Sequence, residues 1–135
     1  MNLVQKAVPQ RVRISSEKTP AVFFGKLLQT RDIAHLTHLR QPDLKLGTHK
    51  ALNKLYEDIL DTTDTIIESW QGIHGLIDII IPQSAHRMDP VEWVQETYDY
   101  IMSERAMFKE SWIQNEIDNI CTLIAQTLYR LKYTK

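Results

Sequence analysis

The sequence predicts an all-α fold, a four-helix bundle preceded by an extended N-terminal arm. Four glycines and five prolines in 135 residues leave few breakers, which favours long helices over a many-turned β-sandwich. Apolar residues recur at three- and four-residue spacing in four separate stretches. Two of those stretches open on a cap-then-proline pair, Thr19-Pro20 and Asp89-Pro90. The length fits a single core, so the expected layout is an arm over 1–19 and one helical domain over 20–135.

Taken in order, residues 1–19 show no helical period and contain Pro9, which marks the arm. Thr19 caps the first helix and Pro20 takes its first position, with Phe23, Phe24, Leu27 and Leu28 on one face. Pro42 forces an end near Arg40. Gly47-Thr48 opens the second helix with Thr48 as its cap, followed by Leu52, Leu55, Tyr56, Ile59, Thr63, Ile66, Ile67 and Trp70. Gly72 or Gly75 stops it. The stretch 76–81 is β-branched and apolar but runs into Pro82, so it reads as an extended connector or a last apolar turn. Asp89-Pro90 starts the third helix, striped by Val91, Val94, Tyr98 and Ile101. Ser111 with Gln114 has the capping-box pattern and heads the fourth. Its stripe, Ile113, Ile117, Ile120, Ile124, Leu128 and Leu131, is the clearest amphipathic pattern in the chain.

The net charge of −1 hides an asymmetry. Lys6, Arg11, Arg13 and Lys18 face only Glu17 in residues 1–20, which leaves +3 there and −4 on the remainder. So few cations suggest weak nucleic-acid binding by the arm, or none, at physiological salt. A single cysteine excludes a disulfide framework and a multi-thiolate zinc site, and it suits a reducing compartment, hence an expected cytoplasmic location. The longest apolar run, Ile77 to Pro82, is broken by Asp78 and too short to span a bilayer, so no membrane partner is expected. Cys121 beside Ile120 and Leu123 reads as a buried inert thiol, and Trp70, Trp93 and Trp112 as core or interface aromatics. No Gly-rich phosphate loop, G-x-S-x-G or H-E-x-x-H occurs.

One constellation carries chemistry. With about 100° per residue and His49 at zero, Asn53, Asp64, Glu57 and Glu68 fall between about 40° and 100°, while the apolar residues centre near about 290°. That acidic stripe lies beside the core face rather than within it. It reads either as a solvated helix face or as hard oxygen ligands beside an imidazole, a set suited to divalent iron and similar metals. On the first helix, His35 and His38 are neighbours on the arc of Phe24, Leu27 and Leu28, so both are expected to be buried.

His49, Asn53, Asp64 and Glu68 resemble the second-helix signature of the Dps-like miniferritins, a branch of the ferritin-like superfamily. That signature runs His, an acid four residues on, then Asp and Glu four apart with a Gly shortly after. Here His49 to Asp64 to Glu68 spans 15 and then 4 residues, and Gly72 follows. His38 is similar to the family's first histidine, with a connection to His49 about one residue short. The chain also resembles small phage-encoded ferritin-like proteins of unassigned function. The shared features are His35/His38, His49-Lys50-Ala51-Leu52 and the run from Asp64 to Glu68-Ser69-Trp70-Gln71-Gly72. Asn53 departs from the pattern as a neutral residue where an acid is expected, and Leu39 stands where an aromatic is usual.

The resemblance implies a ferritin-like four-helix bundle that forms at least a homodimer. It implies iron (Fe2+/Fe3+), or another divalent metal, held between subunits by His38 and His49 of one copy and Asp64 and Glu68 of the other. His35 and Asn53 would support the site, and activity, if present, would be ferroxidase-like. A metal site inside the bundle would instead use Glu-x-x-His pairs, which this sequence lacks. The alternative implied is a non-catalytic ferritin-like bundle acting as a phage assembly or host-interaction protein, in the host cytoplasm.

Overall fold

The computed structural model describes residues 19–41, 44–85 and 87–134. The arm, with Lys6, Arg11, Arg13 and Lys18, lies outside the described residues, which begin at its last position, Thr19. Among the described residues the fold is all-helical, with helices α1 (Pro20–Arg40), α2 (Leu46–His74), α3 (Pro90–Glu104) and α4 (Ser111–Tyr133), and a 3-10 turn at Arg105–Met107. None of these helices is long and apolar enough to cross a membrane.

Both cap-then-proline starts form as expected. Thr19 Oγ1 accepts from Val22 N–H at 3.3 Å and Asp89 Oδ1 from Glu92 N–H at 3.3 Å. Each bond satisfies one of the helix's otherwise unpaired first-turn donors. The other two starts differ from expectation. Helix α2 begins at Leu46, because His49 N–H reaches Lys45 O at 2.9 Å and closes a turn that already contains Thr48; the Lys45 side chain at its N-cap makes no capping bond. Ser111 is likewise inside α4, and Gln114 builds no capping box. Its amide instead donates to Arg105 O (2.7 Å) and Phe108 O (2.9 Å) and accepts from Arg105 Nε (2.8 Å), tying the α3–α4 connection to α4. Gly75 ends α2 at φ +92°, a left-handed position that favours glycine, and its N–H bonds Gln71 O at 2.8 Å.

The α2–α3 connection sets the topology. Its described residues are extended and form no strand. It runs lengthwise along α1, with Ile80 O against Gly25, Gln83 O accepting from Gln29 Nε2 (3.2 Å) and Met88 O accepting from Gln41 Nε2 (3.5 Å). The chain thus travels down α2, returns the length of the domain, and descends again as α3, so α2 and α3 are parallel. Helix α2 packs most extensively, against α1 and α4; α3 packs on α4 and touches α1 at a few positions.

The core is one cluster drawn from all four helices and the α3–α4 connection. Phe23 and Phe24 sit at its centre. Phe23 meets Tyr100 (5.9 Å between centroids) and Phe108 (4.9 Å), while Phe24 meets Phe108 (5.7 Å) and Trp70 (5.8 Å). These rings bridge α3, α1, the α3–α4 connection and α2. At the far end of α2, His74 Nε2 and Glu110 Oε2 pair at 2.6 Å, which lowers the Glu110 pKa through that hydrogen bond.

A candidate intersubunit metal centre

The antiparallel pairing of α1 and α2 brings their histidines together beside the short α1–α2 turn. The His38 and His49 rings stack at 4.0 Å between centroids. Tyr56, about two turns further along the same face of α2, stacks on His35 at 4.5 Å and meets His38 edge-on at 5.7 Å. Asn53 Nδ2 donates to Glu57 Oε1 at 3.0 Å just beside them. His38 and His49 are half-buried, but His35 is exposed. The expected burial of His35 is therefore corrected: Tyr56 covers one of its faces while the rest lies open, because the core-facing arc of α1 at this end is taken by Ala34 and Thr37.

The His38 Nδ1 atom is sealed from solvent and, among the described residues, has no hydrogen-bond partner. Burial, and then the neighbouring His49, hold its imidazole below the ordinary value of 6.5. A hydrogen bond with the His49 backbone opposes the shift, and the Glu57 charge opposes it more weakly. A neutral imidazole keeps a lone pair free, which is the protonation state that metal ligation requires. Coordinating a cation together would require the two stacked rings to turn their edges toward it.

This shift makes stability pH-dependent with a definite sign. A histidine whose folded pKa is depressed binds protons more readily when unfolded, so its contribution is present above about 6.5 and lost as pH falls through the lower folded value. The urea midpoint should therefore fall on acidification from about pH 8 to about pH 5, and more steeply than in His38→Asn. Parallel profiles for the two proteins would overturn this expectation.

Asp64 and Glu68 are exposed on α2, as the helical wheel requires. They are not near the histidines: fifteen residues separate His49 from Asp64, about 22 Å along the axis at about 1.5 Å per residue. Among the described residues, no group of three or more His, Cys, Asp or Glu side chains within one chain is placed to hold a metal ion. One copy therefore presents an imidazole pair at one end of the α1/α2 face and a carboxylate pair toward the other.

Elsewhere, Asp118 forms an ion pair with Arg105 at 2.6 Å, a contact within the chain. Cys121 is half-buried rather than fully enclosed, and burial raises its thiol pKa, consistent with an unreactive thiol. Trp93 is a core residue, and Trp112 is exposed. The sequence reading missed the part Tyr56 plays against His35 and His38. Its spacing placed it on the apolar stripe, and only the pairing of α1 with α2 sets its ring against the imidazoles.

A model of a family of unknown function (DUF5856) matches residues 45–131, from the residue before α2 to near the end of α4, nearly two thirds of the chain. His49, Asn53, Asp64 and Glu68 lie within the matched segment, and His35 and His38 lie before it. No curated protein and no solved structure matches the chain.

Proposed function

Since this chain belongs to the DUF5856 family of unknown function, its role is read from its own geometry, and we propose a ferritin-like bundle that pairs with a second copy and binds iron between them. The observation that carries this reading is the disposition of donors on the α1/α2 face. A half-buried imidazole pair lies at one end, and an exposed carboxylate pair about 22 Å away lies on the same stripe. A two-fold axis near the middle of α2, with the two copies antiparallel, lays each histidine pair over the partner's acids. Neither pair alone is a sufficient ligand set; together His38, His49, Asp64 and Glu68 supply two nitrogens and two carboxylates, suited to Fe2+ or another first-row divalent metal. His35 and Asn53 flank the site. The single long crossover between α2 and α3 supports the ferritin-like part, since folds of that class carry one such connection. Oxidation of bound Fe(II) by oxygen or peroxide is the activity such a site would support.

The test is thermal melting of the protein with and without Fe(II) under anaerobic conditions. Ligand at about one hundred times its dissociation constant adds about 2.7 kcal/mol, a clear rise in melting temperature. Asp64→Asn with Glu68→Gln should abolish the rise. That variant should keep or slightly gain stability without metal, since like charges one turn apart repel by a few tenths of a kcal/mol. His38→Ala with His49→Ala should also abolish the rise. Mixing these two inert variants, with subunit exchange, should restore about a quarter of the wild-type metal capacity, because only mixed dimers regain a site, and only one each. Wild-type protein that shows no rise at well above about 100 µM Fe(II) would sink the metal reading. Binding without complementation would place the site within one chain.

The alternative, a non-catalytic ferritin-like bundle used in phage assembly or host interaction, draws on a different observation. Ile73 (68% exposed), Leu76 (89%), Ile80 and Ile81 present large apolar side chains where α2 ends and the crossover begins. An assembly contact would cover them and needs no metal. Self-association that persists in metal-free protein, together with no Fe(II)-induced rise, selects this reading.

A further inference from the structure

The first turns of α2 and the last turns of α4 border an open groove of about 630 Å³. Gly47 and Ala51, one helical turn apart on α2, line it with almost no side-chain bulk, which leaves room between the two helices. Lys50, Lys54 and Arg130 supply the charge on its walls, and among the described residues no Asp or Glu lines it. Lys54 is held by Asp58 at 2.7 Å. Lys50 and Arg130, among the described residues, form no ion pair. Past Asp118, α4 carries no acidic residue as far as Tyr133, so nothing on that stretch of the helix offsets Arg130. In a chain whose net charge is −1, this groove gathers cations and selects an anion.

The same groove presents an aromatic ring. Tyr129 lines it and is 62% exposed, while Tyr133, one turn on, braces the ring at 5.5 Å between centroids. An exposed ring beside cations suits a planar aromatic group that carries a negative charge, the ring stacking and the cations pairing. The two cations without ion pairs match the charge of about −2 on a phosphate monoester near neutral pH, and lysine and arginine are both strong phosphate donors. The volume lies within the range of about 300–1,000 Å³ typical of small-molecule sites, far more than inorganic phosphate alone would fill.

We propose that this groove binds a nucleoside monophosphate, its phosphate held by Lys50 and Arg130 and its base stacked on the Tyr129 ring. The site shares no residue with the metal centre, so metal-free protein tests it separately.

Carbon–proton correlation spectra of the full, metal-free chain with ring-labelled tyrosine are the test. Tyr129 is one of five tyrosines, and its exposure lets Tyr129→Leu identify its peak by loss. Adenosine monophosphate, titrated to about 10 mM at constant ionic strength to cover millimolar affinity, should move the Tyr129 ring protons upfield and saturably, as stacking against a base requires. Adenosine alone should need about tenfold more to produce the same shift, and inorganic phosphate about tenfold more to displace the nucleotide, since each lacks one set of contacts. Lys50→Met, a change at an exposed position, should raise the half-saturating concentration about tenfold, as expected for losing a charge-assisted hydrogen bond. Lys109→Met removes the same charge at the opposite end of α4 and should leave the titration unchanged. A Tyr129 ring that stays in place, adenosine or inorganic phosphate binding as tightly as the nucleotide, or Lys50→Met titrating like Lys109→Met would overturn the proposal.

Discussion

Gly25→Ala is expected to destabilise the protein by about 1–3 kcal/mol, although alanine is the better helix former. Gly25 is buried within α1. A Cβ there would sit 2.2 Å from Ile80 O and 3.2 Å from its carbonyl carbon. The obstacle is backbone, so no side-chain rotation relieves it. Either the crossover lifts off α1, weakening the Gln29–Gln83 bond, or α1 shifts against its core neighbours. The gain in helix propensity, about 0.5–1 kcal/mol, is smaller than the cost of overpacking. Gly72→Ala supplies the control: it too lies within a helix, and a Cβ there meets nothing within 4 Å. That variant should gain up to about 1 kcal/mol from propensity alone. Urea unfolding of both proteins checks the pair, and a Gly25→Ala midpoint at or above wild type would refute the close approach of the crossover.

Phe23→Ala should have a larger effect, a loss of about 3–5 kcal/mol, corresponding to a fall in melting temperature on the order of 10–20 °C. The ring is fully buried and meets Tyr100, Phe108 and Phe24, so its removal takes away apolar burial and three aromatic contacts at once. Collapse around the gap is limited, because the neighbouring rings belong to α1, α3 and the α3–α4 connection, each held by other packing. Phe23→Leu refills part of the space and should recover much of the loss. If Phe23→Ala melted within a few degrees of wild type, the rings around Phe23 would not be the centre of the core.

What the sequence determined by itself was whatever physical chemistry acts within a turn or two. Thr19-Pro20 and Asp89-Pro90 start helices because a side-chain oxygen meets a first-turn N–H three residues away and proline has no N–H to lose there. Gly75 stops α2 because a left-handed φ favours glycine. The exposure of Asp64 and Glu68 followed from helical periodicity alone. Tertiary structure decided whatever depended on a second element. Ser111 and Gln114 spelled a capping box, but carbonyls six and nine residues upstream offered Gln114 better partners. His35 shared an apolar arc with Leu27, yet that arc has a core to face only where other elements cover it, and beside His35 the neighbour is Tyr56. Gly25 gave no local sign of its role, since its need for a bare Cα arises only when the crossover returns along α1. The candidate metal donors divide the same way. Their residue types and spacing were legible in the sequence, but the 4.0 Å His38–His49 contact exists only because α1 and α2 pack antiparallel. Helical spacing orders the residues on one helix and carries no information about which face of another helix they meet.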